Sequence, residues 1–260
     1  MTIRRVRDVE NRPLRIGHRG AAALAPENTL RSIERALELG ADMVEVDVLA
    51  LADGTLVLAH STDLFELSHG AARGRLTGET LAELRALAPE LPTLDEGLAL
   101  LAAHAARPML DVKLPGYERP LVEAVRRHGL VEHTLVSTCH AAALRRIAAL
   151  EPGLRRGLTL PYDRLGLGNR PLLRPAVAAA LRGMRLSLPL RIGGLLARAD
   201  ASVATLHHSL VSPAVVRACH ARGAHVLAWT VLDRALAERL AGLGVDGIVA
   251  DDPSVVACTF

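Results

Sequence analysis

Short apolar runs, often β-branched, alternate along this chain with stretches whose apolar positions recur every three or four residues. Period-two runs mark strands and the 3.6-residue period marks amphipathic helices. Strands are predicted at Arg15–Gly17, Met43–Val48 and, after an Asp53-Gly54 turn, Leu56–Ala59. More follow at Pro108–Val112, Thr134–Ser137, Arg156–Thr159, Ser202–Leu206, His225–Thr230 and Gly247–Ala250. The helical period covers Leu121–His128, Ala141–Leu150, Pro213–Arg222 and Arg234–Leu243. An earlier helix opens at Pro26-Glu27-Asn28-Thr29, with Asn28 or Thr29 as N-cap, and runs to about Leu39, where Gly40 stops it.

Strand–helix alternation of this kind predicts a parallel sheet in an α/β fold. At 260 residues, closure into a single (β/α)8 TIM barrel is favoured over a doubly wound sheet. The expected organisation is one domain over residues 1–260, with its core at about 15–253. Two stretches stand outside the alternation. His60 to about Pro92 reads as an insert after the second strand region, with a helical piece at Thr80–Leu87. Pro161–Asp200 reads as a helical insert studded with arginines among leucines and alanines, forming either extra surface helices or a lid or docking face for anionic lipid.

Half of the residues are apolar, and the chain has only one Trp, two Tyr and two Phe. The core is therefore aliphatic, and the aromatic platforms that stack single-stranded bases are missing. A net charge of +3 from dispersed arginines suits a small anionic substrate and excludes a nucleic-acid footprint. The three cysteines lack C-x-x-C spacing and read as reduced thiols in a cytoplasmic protein. The first residues carry no apolar leader, and no apolar stretch is long enough to span a bilayer. P-loop, dinucleotide and Gly-x-Ser-x-Gly motifs are absent.

In a barrel, side chains at the C-terminal strand ends converge on one face. Here those ends carry His18 and Arg19, then Glu45 and Asp47, then His60, then Asp111 and Lys113, and later Trp229. Glu45 and Asp47 share a strand face and can share one cation, with Asp111 as a third oxygen ligand. Oxygen donors without cysteine suit one hard divalent ion, Mg2+ or Ca2+. Lys113 would hold a substrate oxygen or orient a carboxylate, and the Arg19 fork would clamp an anion. His18 and His60 divide acid and base work in an order the spacing leaves open. His207-His208 ends the sixth strand, and one of the pair could line the pocket.

His18-Arg19-Gly20, Pro26-Glu27-Asn28-Thr29, Glu45-Val46-Asp47-Val48, Asp53-Gly54 through His60, Pro92-Thr93-Leu94, Trp229-Thr230-Val231 and Gly244-Val245-Asp246-Gly247 occur in one order. Together they resemble the glycerophosphodiester phosphodiesterase family, one of the phosphatidylinositol-phospholipase-C-like TIM-barrel phosphodiesterases, from about Arg15 to Pro253. The resemblance implies metal-dependent hydrolysis of glycerophosphodiesters to glycerol 3-phosphate and an alcohol. It assigns His18 and His60 as the acid–base pair, Glu45 and Asp47 as metal ligands, Arg19 as a phosphate contact, and Asn28 as support for His18 or the metal shell. The chain departs from the family pattern at Asp111, where a Glu is usual, at Ser61–His69, and at Leu232 in place of an Asn. Those departures leave two other readings to weigh: a lysophospholipase D, or a non-catalytic barrel that binds phospholipid headgroups. Peripheral contact with an anionic membrane goes with the arginine-rich segment.

Overall fold

In a computed structural model describing residues 12–67, 72–162 and 173–256, eight parallel strands close on themselves. They are β1 (Leu14–Gly17), β2 (Met43–Ala50), β4 (Arg107–Val112), β5 (Leu135–Thr138), β6 (Arg155–Leu160), β7 (Val203–His207), β8 (His225–Val231) and β9 (Gly247–Ala250). Closure comes from β1, which pairs in parallel with both β2 and β9. A ninth strand, β3 (Leu56–Leu58), returns antiparallel along the upper end of β2. The expected TIM barrel is the observed fold.

The helices are α1 (Leu30–Glu38), α2 (Leu64–Leu67), α3 (Leu81–Leu87), α4 (Leu94–Ala103), α5 (Glu118–Arg127), α6 (Ala141–Leu150), α7 (Arg174–Ala199), α8 (Pro213–His220) and α9 (Arg234–Gly242). Strand alternation sorts the core into layers. Leu14, Ile16, Met43, Met109, Val203 and Leu227 fill the barrel interior, while alternate residues such as Val44, Leu110, Ala204 and Leu206 meet the surrounding helices. Thr29 caps α1 by accepting a hydrogen bond from the Ser32 N–H, which settles the choice between Asn28 and Thr29.

Two expectations are corrected. The periodic pattern does not mark α4, although Thr93 and Glu96 form a capping box at its start. Its LDEGLALLAA sequence is apolar almost all round, so the amphipathic period is faint. The second correction concerns α7, which lies inside the strand–helix alternation, as the outer helix between β6 and β7. Leu188, Ile192, Leu196 and Ala199 anchor it to the core, whereas Leu186 and Leu190 are 82% and 89% exposed. Apolar residues on both faces blur its period. Residues 163–172 of the arginine-rich segment, and His69, lie outside the described residues. The insert after β2 is present as expected, with β3, α2 and α3 closing over Leu76 and Leu84. Among the described residues no helix is long and apolar enough to cross a membrane. Cys139 and Cys219 are free thiols, and Cys258 lies outside the described residues.

Candidate active site

The chain turns sharply after β1. Arg19 and Gly20 both have positive φ (50° and 86°), so the backbone folds back over β2. This puts the Arg19 N–H 2.8 Å from Glu45 Oε2 and the Gly20 N–H 3.1 Å from the Glu45 carbonyl. A side chain at Gly20 would strike the Ser32 backbone, with its Cβ 2.6 Å from the carbonyl oxygen, so glycine is required there. Asn28, also at positive φ (58°), grips Asp47 at both ends. Its Nδ2 donates to Asp47 Oδ2 at 3.0 Å, and its Oδ1 accepts from the Asp47 N–H at 2.9 Å. The Pro-Glu-Asn-Thr block therefore supports the carboxylate cluster and not His18.

Seven of the eight expected site residues line one chamber of about 180 Å3 at the C-terminal strand ends: His18, Arg19, Glu45, His60, Asp111, Lys113 and Trp229. Asp47, fully buried, lies directly beneath. Asp47 pairs with Asp111 in the β2–β4 register, so their side chains project to the same interior face. One oxygen from each of Glu45, Asp47 and Asp111 falls within 4.8 Å of the others, a spacing that can hold a metal ion. Neither His207 nor His208 lines the chamber; the His207 ring packs edge-on against Trp229 at 5.3 Å.

The cluster is strongly polarised. Lys113 Nζ lies 2.7 Å from Asp111 Oδ2 and 2.5 Å from Asp47 Oδ1, while Ser137 donates to the other Asp111 oxygen at 2.9 Å. Arg19 faces Asp47 through Nε at 3.0 Å and Glu27 through Nη1 at 2.7 Å. Only part of its fork is left for an anion. Burial pushes Glu45 up to about 8, and the neighbouring Asp47 charge adds to the rise. Burial acts the same way on Asp47, but the Lys113 and Arg19 charges outweigh it and hold that carboxyl below its usual range. Burial disfavours the Lys113 ammonium, yet Asp111 and Asp47 hold it charged, above its ordinary value.

These residues fit a hard cation. The Lys113 and Arg19 contacts on Asp47 are close in charge terms, but Asp47 Oδ1 is buried and has no directed hydrogen bond. Glu45 and Asp47 repel one another across the same space, which a divalent ion would relieve.

The two histidines differ in setting. His18 Nδ1 lies 2.5 Å from Asp251 Oδ1. Burial alone would lower His18, but the Asp251 hydrogen bond and the Glu45 charge outweigh it, and the imidazole is raised above its ordinary value. At His60, desolvation and the Arg19 and Lys113 charges prevail over the Asp47 attraction and lower it. Sequence reasoning missed Asp251, although it stands at a strand end, immediately after β9, where a chamber-facing carboxylate belongs. A larger cavity of about 480 Å3 adjoins the chamber and shares His60 with it. Leu58, Leu67, Leu87 and Leu91 line it, and neither the carboxylate cluster nor His18 does.

A family model for the glycerophosphoryl diester phosphodiesterase family matches residues 18–255. A glycerophosphodiester phosphodiesterase of Caldanaerobacter subterraneus is 28% identical over 257 residues, covering 93% of this chain and 95% of that protein. An Oleispira antarctica phosphodiesterase structure, in complex with the product sn-glycerol-3-phosphate, superposes with a TM-score of 0.72 at 26% identity, covering 94% of this chain and 95% of the other. The fold recurs in the glycerophosphodiester phosphodiesterase of Agrobacterium tumefaciens, with a TM-score of 0.72 at 23% identity and coverage of 93% and 97%. Joined to a chamber that gathers two histidines, an arginine, a lysine and three carboxylates, these matches show that the chain belongs to the glycerophosphoryl diester phosphodiesterase family.

Proposed function

We propose that this protein hydrolyses glycerophosphodiesters to glycerol 3-phosphate and an alcohol with the help of one divalent cation, Mg2+ or Ca2+, in a single catalytic domain. The observation that carries this is the convergence of His18, His60, Arg19 and Lys113 on the Glu45–Asp47–Asp111 cluster in one chamber. The complex of the Oleispira antarctica relative with sn-glycerol-3-phosphate supports the choice of substrate.

Glu45, Asp47 and Asp111 would hold the cation, which when bound neutralises phosphate charge. Lys113 and the free part of the Arg19 fork hold the non-bridging oxygens and draw charge from phosphorus as a fifth oxygen approaches. Asp251 fixes the Nδ1–H tautomer of His18, so the Nε2 lone pair is left for the chamber. His18 and His60 divide the remaining work: one takes the proton of the attacking hydroxyl and the other gives a proton to the departing alkoxide as the phosphorus–oxygen bond breaks; where the glycerol's own hydroxyl attacks, water then opens the cyclic phosphate to glycerol 3-phosphate. His60 stands where the chamber meets the larger cavity. There the departing alcohol leaves through the apolar side.

Purified His18→Ala is expected to lose about 100-fold or more of kcat on glycerophosphocholine, the usual scale for a positioned acid or base. Turnover near the wild-type level removes the assignment. The lysophospholipase D reading rested on the arginine-rich segment, and none of the described side chains of α7 lines the chamber. Faster turnover of lysophosphatidylcholine than of glycerophosphocholine would restore it. Metal-dependent release of glycerol 3-phosphate would exclude a non-catalytic barrel. Exposed Leu186 and Leu190 beside Arg182, Arg185 and Arg191 are consistent with contact at an anionic membrane, which cosedimentation with phosphatidylglycerol vesicles checks. The free thiols of Cys139 and Cys219 agree with a cytoplasmic setting.

A further inference from the structure

Arg19 works beside a cluster of carboxylates that pull on it. Its side chain is only 16% exposed, and the charges of Asp47 and Glu45 both attract it. Nothing on the Asp47 side fixes its orientation. Nε lies 3.0 Å from Asp47 Oδ2 but forms no directed hydrogen bond, and that oxygen already accepts from Asn28 Nδ2. Among the described residues, the guanidinium makes one directed hydrogen bond, from Nη1 to Glu27 Oε2 at 2.7 Å.

This pair crosses from one space to the other. Arg19 lines the chamber and not the larger cavity, whereas Glu27 lines the cavity and not the chamber. The Glu27 carboxylate therefore pulls on the arginine from outside the site. Its side chain is 47% exposed, and an ion pair between two loosely held surface side chains contributes little. Here the backbone around Glu27 is fixed. Thr29 Oγ1 donates to the Pro26 carbonyl at 2.7 Å, and the Asn28 N–H donates to the Arg19 carbonyl at 3.0 Å. Asn28 also grips Asp47, so two consecutive residues hold the anion clamp and the deepest carboxylate in one frame.

We propose that Glu27 is a positioning residue that keeps the Arg19 fork facing the phosphate, a role that rests on the phosphodiesterase reading. With Nη1 tied outward, the rest of the fork is left for a non-bridging oxygen. Without the tie, Asp47 and Glu45 draw the guanidinium down onto oxygens that a cation needs. The clamp is then missing as charge builds on the phosphate. The direction of the hydrogen bond, more than the negative charge that accepts it, is what Glu27 supplies.

The test compares wild type, Glu27→Ala and Glu27→Gln at saturating Mg2+ or Ca2+ by release of glycerol 3-phosphate. Two substrates are used: glycerophosphocholine, and its analogue with 3,3-dimethylbutanol, in which a neutral carbon replaces the choline nitrogen. Glu27→Ala is expected to lose about tenfold in kcat/KM on both, mostly in kcat, with an unchanged melting curve. Glu27→Gln keeps an acceptor oxygen and should stay within about threefold of wild type. In an Arg19→Ala background, where there is no fork to aim, Glu27→Ala should cost less than about twofold more. A loss below about twofold in Glu27→Ala alone overturns the positioning role and leaves the phosphodiesterase reading standing. An undiminished loss in the Arg19→Ala background also overturns it. Equal loss in Glu27→Gln and Glu27→Ala, or a loss confined to glycerophosphocholine, overturns it by showing that only the charge matters. If wild type cleaves neither compound, the phosphodiesterase reading falls and the role of Glu27 falls with it.

Discussion

Replacing Asp251 with asparagine tests the arrangement of the histidines most directly. The Asp251 carboxylate lies 2.5 Å from His18 Nδ1 and is 31% exposed, so the contact is charge-assisted and largely shielded. A hydrogen bond to a charged partner contributes about 1.5–3 kcal/mol. At 1.36 kcal/mol per decade this corresponds to about a 10- to 150-fold loss in kcat/KM. Asparagine also presents an amide that can donate to Nδ1 and force the wrong tautomer, which moves the loss toward the upper end. The pH profile carries a second signature. Burial lowers His18, and Asp251 is the leading influence that raises it. Without that carboxylate the folded value falls, so the limb of the bell that belongs to His18 retreats toward lower pH. The limb of His60, which has no contact with Asp251, keeps its place. The assay is release of choline from glycerophosphocholine across pH 5–10 at saturating divalent ion, with matched melting curves. A variant within about twofold of wild type, with a superimposable profile, would refute the idea that Asp251 orients His18.

Two further outcomes follow from the carboxylates. Prolonged chelation should abolish turnover, and adding back Mg2+ or Ca2+ at about 100 times its Kd should stabilise the fold by about 2.7 kcal/mol. That raises Tm by about 5–10 °C in a chain of this size, and Glu45→Gln should largely remove the shift; an unchanged wild-type Tm in millimolar ion refutes the site. Away from the chamber, Asp246 is 4% exposed and accepts hydrogen bonds at 2.8 Å from both the Val226 N–H and His220. Burial would raise its carboxyl, but hydrogen bonds from His225, the Val226 N–H and His220 hold it below its usual value. A depressed carboxyl stabilises the fold above its unfolded value and loses that contribution as pH falls through the folded one, so this part of the stability disappears only below about pH 4. At neutral pH, Asp246→Asn should lower urea stability by about 1–3 kcal/mol, and an unchanged midpoint would show that these bonds contribute nothing.

The chain's alternation was enough to reveal the barrel because a parallel strand buried on both faces leaves a near-continuous apolar run, as in Val44, Val46 and Val48 around Glu45 and Asp47. The same burial makes the site legible, since charged residues inside such a run are costly unless they have work to do. Asp251 escaped notice for the opposite reason. It sits just beyond its strand, beside Asp252, where a carboxylate pair looks like ordinary solvated loop. In α7, Leu186 and Leu190 face outward, so counting leucines misled where counting buried ones would not.

The two spaces that meet at His60 divide specificity unequally. The chamber is small, and ten of its twelve lining residues carry charged or hydrogen-bonding side chains. The adjoining cavity is more than twice as large, and leucine, alanine and proline make up most of its lining. A site that aims polar groups at substrate hydroxyls rejects an analogue lacking them far more strongly than an apolar pocket rejects a change of one or two carbons. The half of the diester held in the chamber should therefore be read strictly and the departing alcohol loosely. Glu27, Glu66 and Glu90 on the cavity's lining tilt that loose choice toward cationic alcohols over anionic ones. Across diesters that share the glycerol phosphate and differ only in the alcohol, kcat/KM should vary by about tenfold or less among neutral and cationic alcohols, and should fall further for an anionic one.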